Sequence, residues 1–339
     1  MTATTFGQTA DGTPVPMATL TGGGLTVEVI GLGAAIRSLN VDIGRGASPR
    51  VLGLETLEDY LTHSPNMGVI AGRYANRIGG AHFVLDGQEV NLVPNEGGTT
   101  QLHGGPLGFS KRIWSLVDHG PDHALLSLTS EAGDQGFPGR VEAFCHYSIP
   151  SDGVLRLELT ATTDAPTVVN LAAHSYFNLD GTDTILDHLL EIPADFYTPV
   201  DDKRIPTGEI RSVEGSPFDF RTLRPIGLMH EGSRAAYDHN YIISRTRAAT
   251  PQLMARAIGP DSRTELQVFS TEPGVQLYAG SYLGVPVKPL HRTRTAANAG
   301  FCLEPQLFPD TPNKPQFGDA TLRPGETYRQ ITDYRFRAA

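Results

Sequence analysis

The sequence predicts an all-β protein, either a large sandwich or a barrel. Three observations favour this class. Apolar and polar residues alternate in many places, 37 glycines and 25 prolines are spread through the chain, and helical periodicity is scarce. Many short strands joined by tight turns account for all three observations.

The first half of the chain predicts a strand, a short helix and a hairpin. Residues 25–29 (LTVEV) alternate in the manner of a half-buried strand. Residues 54–61 carry a helical pattern and predict a short surface helix. Residues 83–92 predict a hairpin, because the dipeptide Asp86-Gly87 supplies the positive φ angles of a tight primed turn.

The second half continues with strands and a stiff loop. Residues 155–160 and 266–269 alternate as strands do. Residues 305–317 predict a loop that is excluded from any central strand, since proline cannot donate to the hydrogen-bond ladder. Its prolines are Pro305, Pro309, Pro312 and Pro315.

Nothing in the sequence divides the chain into parts. It has no charge block, no Ser/Gly linker and no shift of composition, and no repeat of a few tens of residues suggests a propeller. A length of 339 residues suits one large all-β domain. We therefore expect a single domain over residues 1–339.

The formal charge of −10 limits the classes of partner. Nucleic acid and anionic membrane surfaces need clustered Lys and Arg for binding, so both are disfavoured. Phosphorylated substrates are disfavoured more weakly, because a local arginine pocket is enough to bind one. A neutral, hydroxyl-rich small molecule is the partner that fits this charge best.

Two cysteines, Cys145 and Cys302, form neither a disulfide framework nor a zinc motif and are expected to be small buried hydrophobes. The N-terminus has neither the basic start nor the apolar run of a secretory signal. No stretch approaches the ~20 apolar residues that span a bilayer. A cytoplasmic protein is expected, and the sequence leaves monomer and homodimer equally open.

The segment 170–179 (NLAAHSYFNL) places a histidine at the end of an alternating run. Because strand side chains alternate between faces, His174 shares one face with Asn170 and Ala172, and apolar side chains occupy the other. The run predicts a strand that packs on the core through one face and presents an imidazole on the other.

A second segment, 301–306 (FCLEPQ), has the same arrangement with a carboxylate. Glu304 shares a face with Cys302 and Gln306, while the other face is apolar. A carboxylate in a run suited to burial is costly unless it has partners, and a buried ion pair is one such explanation. If the two faces meet, His174 and Glu304 form an acid/base couple in a cleft.

Four further segments combine polar residues with glycine or aromatic rings: 71–80, 101–105, 236–241 and 272–280. Each is ambiguous when taken alone. Arg77 can be a solvated surface charge, His103 a turn residue, and Asp238 a turn or capping residue. Gln276 and Tyr278 fall on one face of a strand.

Taken together, these segments make the chain resemble the aldose 1-epimerases, also called galactose mutarotases. Six motifs occur in the order of that family, from about residue 6 to the C-terminus. They are GRYANRI at 72–78, LHGG at 102–105, HSYFNL at 174–179, YDHN at 237–240, EPGVQ at 272–276 and CLEPQLFPDTPN at 302–313.

The resemblance implies a large β-sandwich of the galactose mutarotase-like (supersandwich) type with few short helices. It also implies free hexose or pentose substrates and a mechanism without metal or cofactor. By matching position, Glu304 looks like the general base and His174 like the general acid of that family. Residues that look like substrate-binding groups are Asn76, Arg77, His103, Asp238, Gln276 and, less directly, Tyr278.

Two local departures from the family pattern affect the surroundings of the catalytic pair. Ala172-Ala173 stands where the family commonly has a polar Thr-Asn pair, and Pro305 stands where it often has Thr. Neither departure removes a proposed catalytic group. Both are expected to change the hydrogen bonds that tune the pKa values of the pair.

The implied reaction explains why a base and an acid are needed. Interconversion of anomers removes a proton from the C1 hydroxyl and adds one to the ring oxygen, and each positioned proton transfer contributes about 10²–10⁴-fold in rate. Glu304 as carboxylate can accept the first proton and His174 as imidazolium can donate the second. A carboxylate beside a histidine favours the imidazolium, so we expect each group to support the working form of the other.

Other classes remain open at this point. A glycoside hydrolase would use Asp238 and Glu304 as its carboxylate pair. A metal enzyme would use His103, His174, Asp238 and Glu304 as ligands, although they are scattered along the chain.

Two further alternatives also bind carbohydrate. A sugar-binding module without catalysis would stack sugars on Tyr176, Phe177 and Tyr278, although such rings are more often core residues. A sugar-phosphate epimerase would need several cations near the cleft, and the sequence offers only Arg73 and Arg77 there.

Overall fold

The computed structural model describes residues 4–230 and 232–339. In chain order the strands of its first half are β1 (Thr4–Gln8), β2 (Pro14–Gly22), β3 (Leu25–Ile30), β4 (Ala35–Val41), β5 (Ser48–Pro49), β6 (Ile70–Ala71), β7 (Arg77–Ile78), β8 (His82–Leu85), β9 (Gln88–Asn91), β10 (Gln101–Leu102), β11 (Ser115–His119), β12 (His123–Ser130), β13 (Val141–Ser151), β14 (Val154–Thr163) and β15 (Thr167–Val168). The strands of its second half are β16 (Ala172–Ala173), β17 (Leu189–Glu191), β18 (Phe196–Thr198), β19 (Arg211–Ser212), β20 (Arg224–Pro225), β21 (Met229–His230), β22 (Ser233–Arg234), β23 (Asp238–Ile242), β24 (Gln252–Ile258), β25 (Thr264–Ser270), β26 (Gly274–Tyr278), β27 (Cys302–Gln306), β28 (Thr321–Leu322) and β29 (Tyr328–Ala338).

Helical structure is sparse in the described residues. The one α-helix there, α1, covers Leu57–His63. Short 3₁₀ turns cover Gly79–Ala81, Phe109–Lys111, Asp134–Gly136, Thr311–Asn313 and Pro315–Phe317. None of these helices is long and apolar enough to span a membrane. The predicted all-β class with few short helices is confirmed.

Three larger sheets form the molecule. A nine-stranded sheet has the order β11-β12-β13-β14-β29-β25-β24-β17-β20, and two five-stranded sheets have the orders β1-β2-β3-β4-β5 and β19-β18-β23-β26-β27. Their neighbouring strands are antiparallel, as expected for strands that each bury one face.

The main core lies between the nine-stranded sheet and the two five-stranded sheets. Alternate residues of β13 and β14 are buried, and they join one hydrophobic cluster with residues of β3, β26 and β27. Leu157 of the large sheet, Val27 of the first small sheet and Leu303 of the second are all in this cluster. The molecule is therefore a β-sandwich, with a core supplied by the inward face of each sheet.

The predicted strands and hairpin are confirmed. Residues 25–29, 155–160 and 266–269 lie within β3, β14 and β25. The hairpin forms from β8 and β9, and Asp86 and Gly87 at its turn have φ angles of 49° and 80°. Both angles are positive, as a primed turn requires.

Two predicted boundaries are wrong. The helix expected over 54–61 begins at Leu57, because the side chain of Thr56 caps it by accepting a hydrogen bond from the Asp59 N–H. The loop expected from residue 305 begins only after Gln306, since Pro305 lies within β27. Strand β27 is at the edge of its sheet, where a residue without an N–H is tolerated.

The five-stranded sheet with β27 brings three of the polar segments together. Strands β18 and β26 are both antiparallel to β23, and β27 is antiparallel to β26. The C-terminal ends of β18 and β26 and the first residues of β23 and β27 therefore meet at one end of the sheet. Paired residues in antiparallel strands share a face, so Asp238, Gln276 and Glu304 project from the same face near that end.

Candidate active site

A cleft of about 220 Å³ opens at this end of the sheet. Seven of the eight residues predicted for the site line it: Asn76, Arg77, His103, His174, Asp238, Tyr278 and Glu304. The eighth, Gln276, lies behind the lining and donates a hydrogen bond from Nε2 to Oδ1 of Asp238 at 2.7 Å. The fold thus assembles residues from separate parts of the chain into one site.

His174 and Glu304 form the floor of the cleft. Nε2 of His174 lies 3.6 Å from Oε1 of Glu304, and the two side chains are only 7% and 2% exposed. The other carboxylate oxygen of Glu304, Oε2, is buried and has no hydrogen-bond partner among the described residues. A buried acceptor of this kind is costly unless a ligand supplies the missing donor.

Burial controls the protonation of this pair. Removal of the imidazole from water lowers the pKa of His174 to about 4, and the charge of Asp238 opposes this shift. Burial also raises the pKa of Glu304 well above its usual value, with the nearby charge of Asp238 adding to the shift and that of Arg77 opposing it. The expectation that the carboxylate would stabilise the imidazolium is therefore wrong for the free protein, because desolvation outweighs the attraction between the two groups.

The two alanines before His174, Ala172 and Ala173, offer no side-chain hydrogen bonds, and both are buried against their neighbours. Ala172 pairs with Ala71 of β6, and the two are in contact in a small buried cluster with Ala75. The backbone of His174 is held from both sides. Its N–H donates to the Val69 carbonyl at 2.9 Å, and its carbonyl accepts from the Gly68 N–H at 3.0 Å.

Arg77 is a buried member of an ion-pair chain, not a solvated surface charge. Its Nε and Nη2 donate to the two carboxylate oxygens of Glu96 at 2.7 and 2.9 Å, and Nη1 lies 3.6 Å from Oδ2 of Asp238. Burial lowers the pKa of Arg77, but the hydrogen bonds to Glu96 and the charge of Asp238 outweigh it and raise the pKa overall. The guanidinium stays charged beside Glu304.

His103 and Asn76 are fixed against each other beside the two-stranded sheet of β7 and β10, which they flank. The N–H of Asn76 donates to Nδ1 of His103 at 3.1 Å. Because Nδ1 accepts, a neutral His103 carries its proton on Nε2 and can donate from there. Burial lowers the pKa of His103 well below the usual value, and the nearby His174 and Arg77 add to the shift.

Aromatic rings form the wall beside the pair. The Tyr176 ring lies 5.1 Å from the His174 ring and 6.1 Å from the Tyr278 ring, measured between centroids. Both tyrosines line the cleft. Phe177, the third ring of the sugar-stacking alternative, is instead buried in the main core.

Asp238 and Arg73 do not lie where two of the sequence interpretations put them, in a turn and near the cleft respectively. Asp238 is the first residue of β23, so it is not in a turn. Arg73 is buried away from the cleft and donates to the carbonyls of Pro138 and Gly139 and to Ser130. Burial lowers its pKa to about 10. Of the two arginines expected near the cleft, only Arg77 lines it.

The sequence interpretation missed several lining residues. Glu96, Arg204 and Tyr282 line the outer part of the cleft. Glu96 lies in the run Asn95-Glu96-Gly97-Gly98, which resembles an ordinary polar turn. The one signal for Glu96 in the sequence is indirect: if Arg77 is buried, it needs a carboxylate partner.

The four residues considered as metal ligands from the sequence do not come together in one group. Among the described residues, the potential ligand atoms that lie within 4.8 Å of one another belong to His174, Cys302 and Glu304, without His103 or Asp238. Cys302 Sγ approaches Nδ1 of His174 at 3.5 Å, whereas Glu304 approaches Nε2. The thiol and the carboxylate thus make their shortest approaches to different ring nitrogens.

Comparison with known proteins gives one consistent result. The sequence model of the aldose 1-epimerase family matches residues 16–335. The chain is 37% identical to the aldose 1-epimerase of Escherichia coli K12 over 97% of both chains. It is 38% identical to the galactose mutarotase of Bos taurus over 93% of this chain and 92% of that one. A solved GalM/aldose epimerase homologue from C. elegans superposes with a TM-score of 0.90 at 32% identity, over 96% of this chain and 99% of that one.

Proposed function

This chain belongs to the aldose 1-epimerase family, and we propose that it interconverts the α and β anomers of free aldohexoses and aldopentoses. The observation that carries the proposal is the pair of Nε2 of His174 and Oε1 of Glu304, 3.6 Å apart on the floor of a cleft. An acid and a base at this separation are what ring opening requires, and the reaction involves no net oxidation or reduction.

The proposed reaction moves two protons. Glu304 removes the proton of the C1 hydroxyl, and His174 delivers a proton to the ring oxygen as the bond between C1 and that oxygen breaks. Rotation about the C1–C2 bond then presents the other face of the aldehyde. Reclosure returns the proton from Glu304 to the new C1 hydroxyl and the ring-oxygen proton to His174.

The burial of the pair assists the opening step. Before opening, Glu304 is a carboxylate and His174 an imidazolium, and after it both are neutral. The buried site favours the neutral forms, as the directions of the two pKa shifts indicate. The carboxylate is thus a stronger base and the imidazolium a stronger acid than either would be in water.

In the free protein, burial shifts the pKa of each group toward its neutral form, and one proton transfer from Glu304 to His174 converts a neutral pair into the reactive form. Arg77 favours the carboxylate of Glu304, and a sugar hydroxyl donating to its unpartnered Oε2 would favour it further. Substrate binding is therefore expected to shift the pair toward the reactive form.

The remaining predicted residues have proposed roles in holding the sugar. Arg77 and Nε2 of His103 are donors, and Asp238 is an acceptor for sugar hydroxyls. Gln276 acts through Asp238, which it holds by the 2.7 Å hydrogen bond. Tyr278 and Asn76 line the cleft and limit where the ring can lie.

The alternatives are less well supported. In a glycoside hydrolase Glu304 would work with a second carboxylate, but His174 lies against Glu304, while Asp238 is engaged by Arg77 and Gln276. Release of product from aryl glycosides would favour hydrolysis, and sugar binding without faster anomer equilibration would favour a non-catalytic module. Loss of activity with a chelator would favour a metal enzyme.

Three broader predictions accompany this function. The family match over residues 16–335 supports a single domain. The net charge of −10 supports a neutral sugar as substrate. The cytoplasmic location stays a prediction from the sequence.

The decisive experiment is the substitution Glu304→Gln. Freshly dissolved α-glucose or α-galactose is followed by polarimetry, and the variant is expected to keep its fold and lose nearly all mutarotation. More than about a tenth of the wild-type activity would remove Glu304 as the base, given the contribution of a positioned proton transfer. Glu89→Gln, an exposed glutamate on β9, is the matched control and should retain full activity.

A further inference from the structure

Two loops meet at the outer end of the cleft. Residues 199–210 follow β18, and residues 279–285 follow β26. Strand β23 lies between β18 and β26 in the sheet, and its first residue, Asp238, is at the same end. A contact between the two loops therefore spans the strand that carries Asp238.

Arg204 and Tyr282 make this contact. The guanidinium carbon of Arg204 lies 4.5 Å from the centre of the Tyr282 ring. Arg204 also faces the ion-pair chain of the cleft, with Nη1 3.9 Å from Oε1 of Glu96. A cation stacked on a ring and paired with a carboxylate is held from two sides.

Hydrogen bonds fix the backbone of both loops next to these two side chains. In the first loop, Oδ1 of Asp201 accepts from the backbone N–H groups of Lys203 and Ile205, each at 2.9 Å, on either side of Arg204. In the second loop, the Tyr282 N–H donates to the Tyr278 hydroxyl at 3.0 Å. The contact between Arg204 and Tyr282, called the Arg204–Tyr282 bridge below, is thus attached to a residue of the cleft wall, although Tyr282 is 67% exposed.

A second cavity adjoins the cleft at this bridge. It measures about 240 Å³ and is lined by Glu96, Gly97, Thr99, Thr100, Asp202, Lys203 and Arg204. Glu96 and Arg204 are common to the linings of both cavities. The contact between these two side chains therefore lies where the cavities adjoin, and its removal would let a longer ligand occupy both.

We propose that Arg204, held by Tyr282 and Glu96, is a specificity-determining residue that limits the substrate to a single sugar ring. It closes the outer end of the cleft against a second ring attached to the reacting one. The outer cavity has polar walls and cations suited to the hydroxyls of that second ring. This inference rests on the proposed mutarotase function and deepens it by naming the size of substrate.

The test compares two substrates with the same reacting ring. Glucose and maltose both present a reducing glucose, and maltose adds a second ring to it. In Arg204→Ala, the ratio of kcat/KM for maltose to that for glucose should rise roughly tenfold, the low end of what one contact in a pocket contributes to discrimination. Alanine retains the Cβ, so the positive φ of 62° at this position is equally strained before and after the change.

Variants of Tyr282 distinguish the effect of losing the Arg204–Tyr282 contact from the effect of losing the positive charge of Arg204. Tyr282→Phe keeps the ring under Arg204 and should leave the ratio at its wild-type value. Tyr282→Ala frees Arg204 and should raise the ratio. Because the two residues act as a unit, the double variant Arg204→Ala/Tyr282→Ala should raise the ratio only slightly more than the single variant with the larger effect.

Lys203→Ala is the matched control, since Lys203 lines only the outer cavity. It should leave the ratio unchanged. An unchanged ratio in both Arg204→Ala and Tyr282→Ala, with glucose still converted, would overturn the inference alone. Absence of glucose mutarotation in the wild-type protein would overturn the proposed function itself.

Discussion

At the scale of single residues, the chemistry of the cleft depends on where charge is buried. His174 and Glu304 lie 3.6 Å apart, yet the pKa of each moves toward its neutral form. Their mutual attraction is smaller than the cost of removing both charges from water. Arg77 remains charged beside them because the two hydrogen bonds that it donates to Glu96 and the charge of Asp238 offset its burial.

These shifts predict the pH dependence of catalysis. The pair works when it holds one proton, because it then supplies one acid and one base. Below a pH of about 4, the pKa of His174, both groups are protonated and no base remains. Above the raised pKa of Glu304 neither group holds a proton and no acid remains.

Polarimetric kcat/KM, corrected for spontaneous mutarotation in each buffer, should therefore fall along an acid limb near pH 4 and, at higher pH, as the raised pKa of Glu304 is passed. A thermal melt at each pH checks that the fold persists. An acid limb near the ordinary histidine value of about 6.5 would contradict the role given to burial.

At the scale of elements, the turn after β10 places His103 against the floor of the cleft. Gly104, directly after it, has a φ of 82°, and a Cβ there would lie 2.0 Å from the Gly72 carbonyl oxygen. Glycine is needed at this point for both its conformation and the closeness of the neighbouring backbone. The LHGG motif is thus explained by packing as well as by its histidine.

The substitution Gly104→Ala should destabilise the protein by roughly 2–4 kcal/mol, since backbone atoms must move apart to admit the methyl group. Gly97→Ala is the matched control. Gly97 also has a positive φ, of 57°, but a Cβ there meets nothing within 4 Å, so only the conformational cost of about 1 kcal/mol applies. Urea denaturation measures both, and equal losses would show that the Gly72 contact is unimportant.

At the scale of the whole molecule, the last strand of the chain lies inside the largest sheet. Strand β29 pairs with β14 on one side and β25 on the other. Its Asp333 is 1% exposed and accepts two hydrogen bonds from Arg156 of β14 and one from Arg335. Burial raises the pKa of Asp333, but these hydrogen bonds outweigh it and lower the pKa overall.

A lowered carboxyl pKa means that Asp333 contributes stability at neutral pH, and that this contribution is lost as pH falls through the folded-state pKa. Asp333→Asn should therefore lower the free energy of unfolding by about 1–2 kcal/mol at pH 7, a range reduced for the partial exposure of the arginines. The difference from the wild-type protein should shrink as pH falls below about 4, the ordinary aspartate pKa, and on through the lowered folded-state pKa of Asp333. Asp86→Asn, which breaks an exposed two-bond pair with Arg323, is the control and should cost less than about 1 kcal/mol.

Much of this architecture was accessible from the sequence because strand patterns are local. Alternation in residues 25–29 and 155–160 identified real strands, and Asp86-Gly87 identified a real turn. The start of α1 was placed three residues early, since capping by Thr56 decides it and apolar periodicity does not. The sequence excludes Pro305 from a central strand, and this agrees with its place in the edge strand β27; that the loop starts only after Gln306 depends on this edge position, which is not visible in the sequence.

The sequence by itself determined the all-β class, the family, and the faces on which His174 and Glu304 lie. All of these follow from a period of two along a strand or from motifs read in order. Only the tertiary structure decided that burial shifts the pKa values of the pair toward their neutral forms, that Glu96 holds Arg77, and that Arg204 stacks on Tyr282 beside the cleft. The physical reason is that solvent exposure and charge partners depend on which strands become neighbours, and distant parts of the chain decide that together.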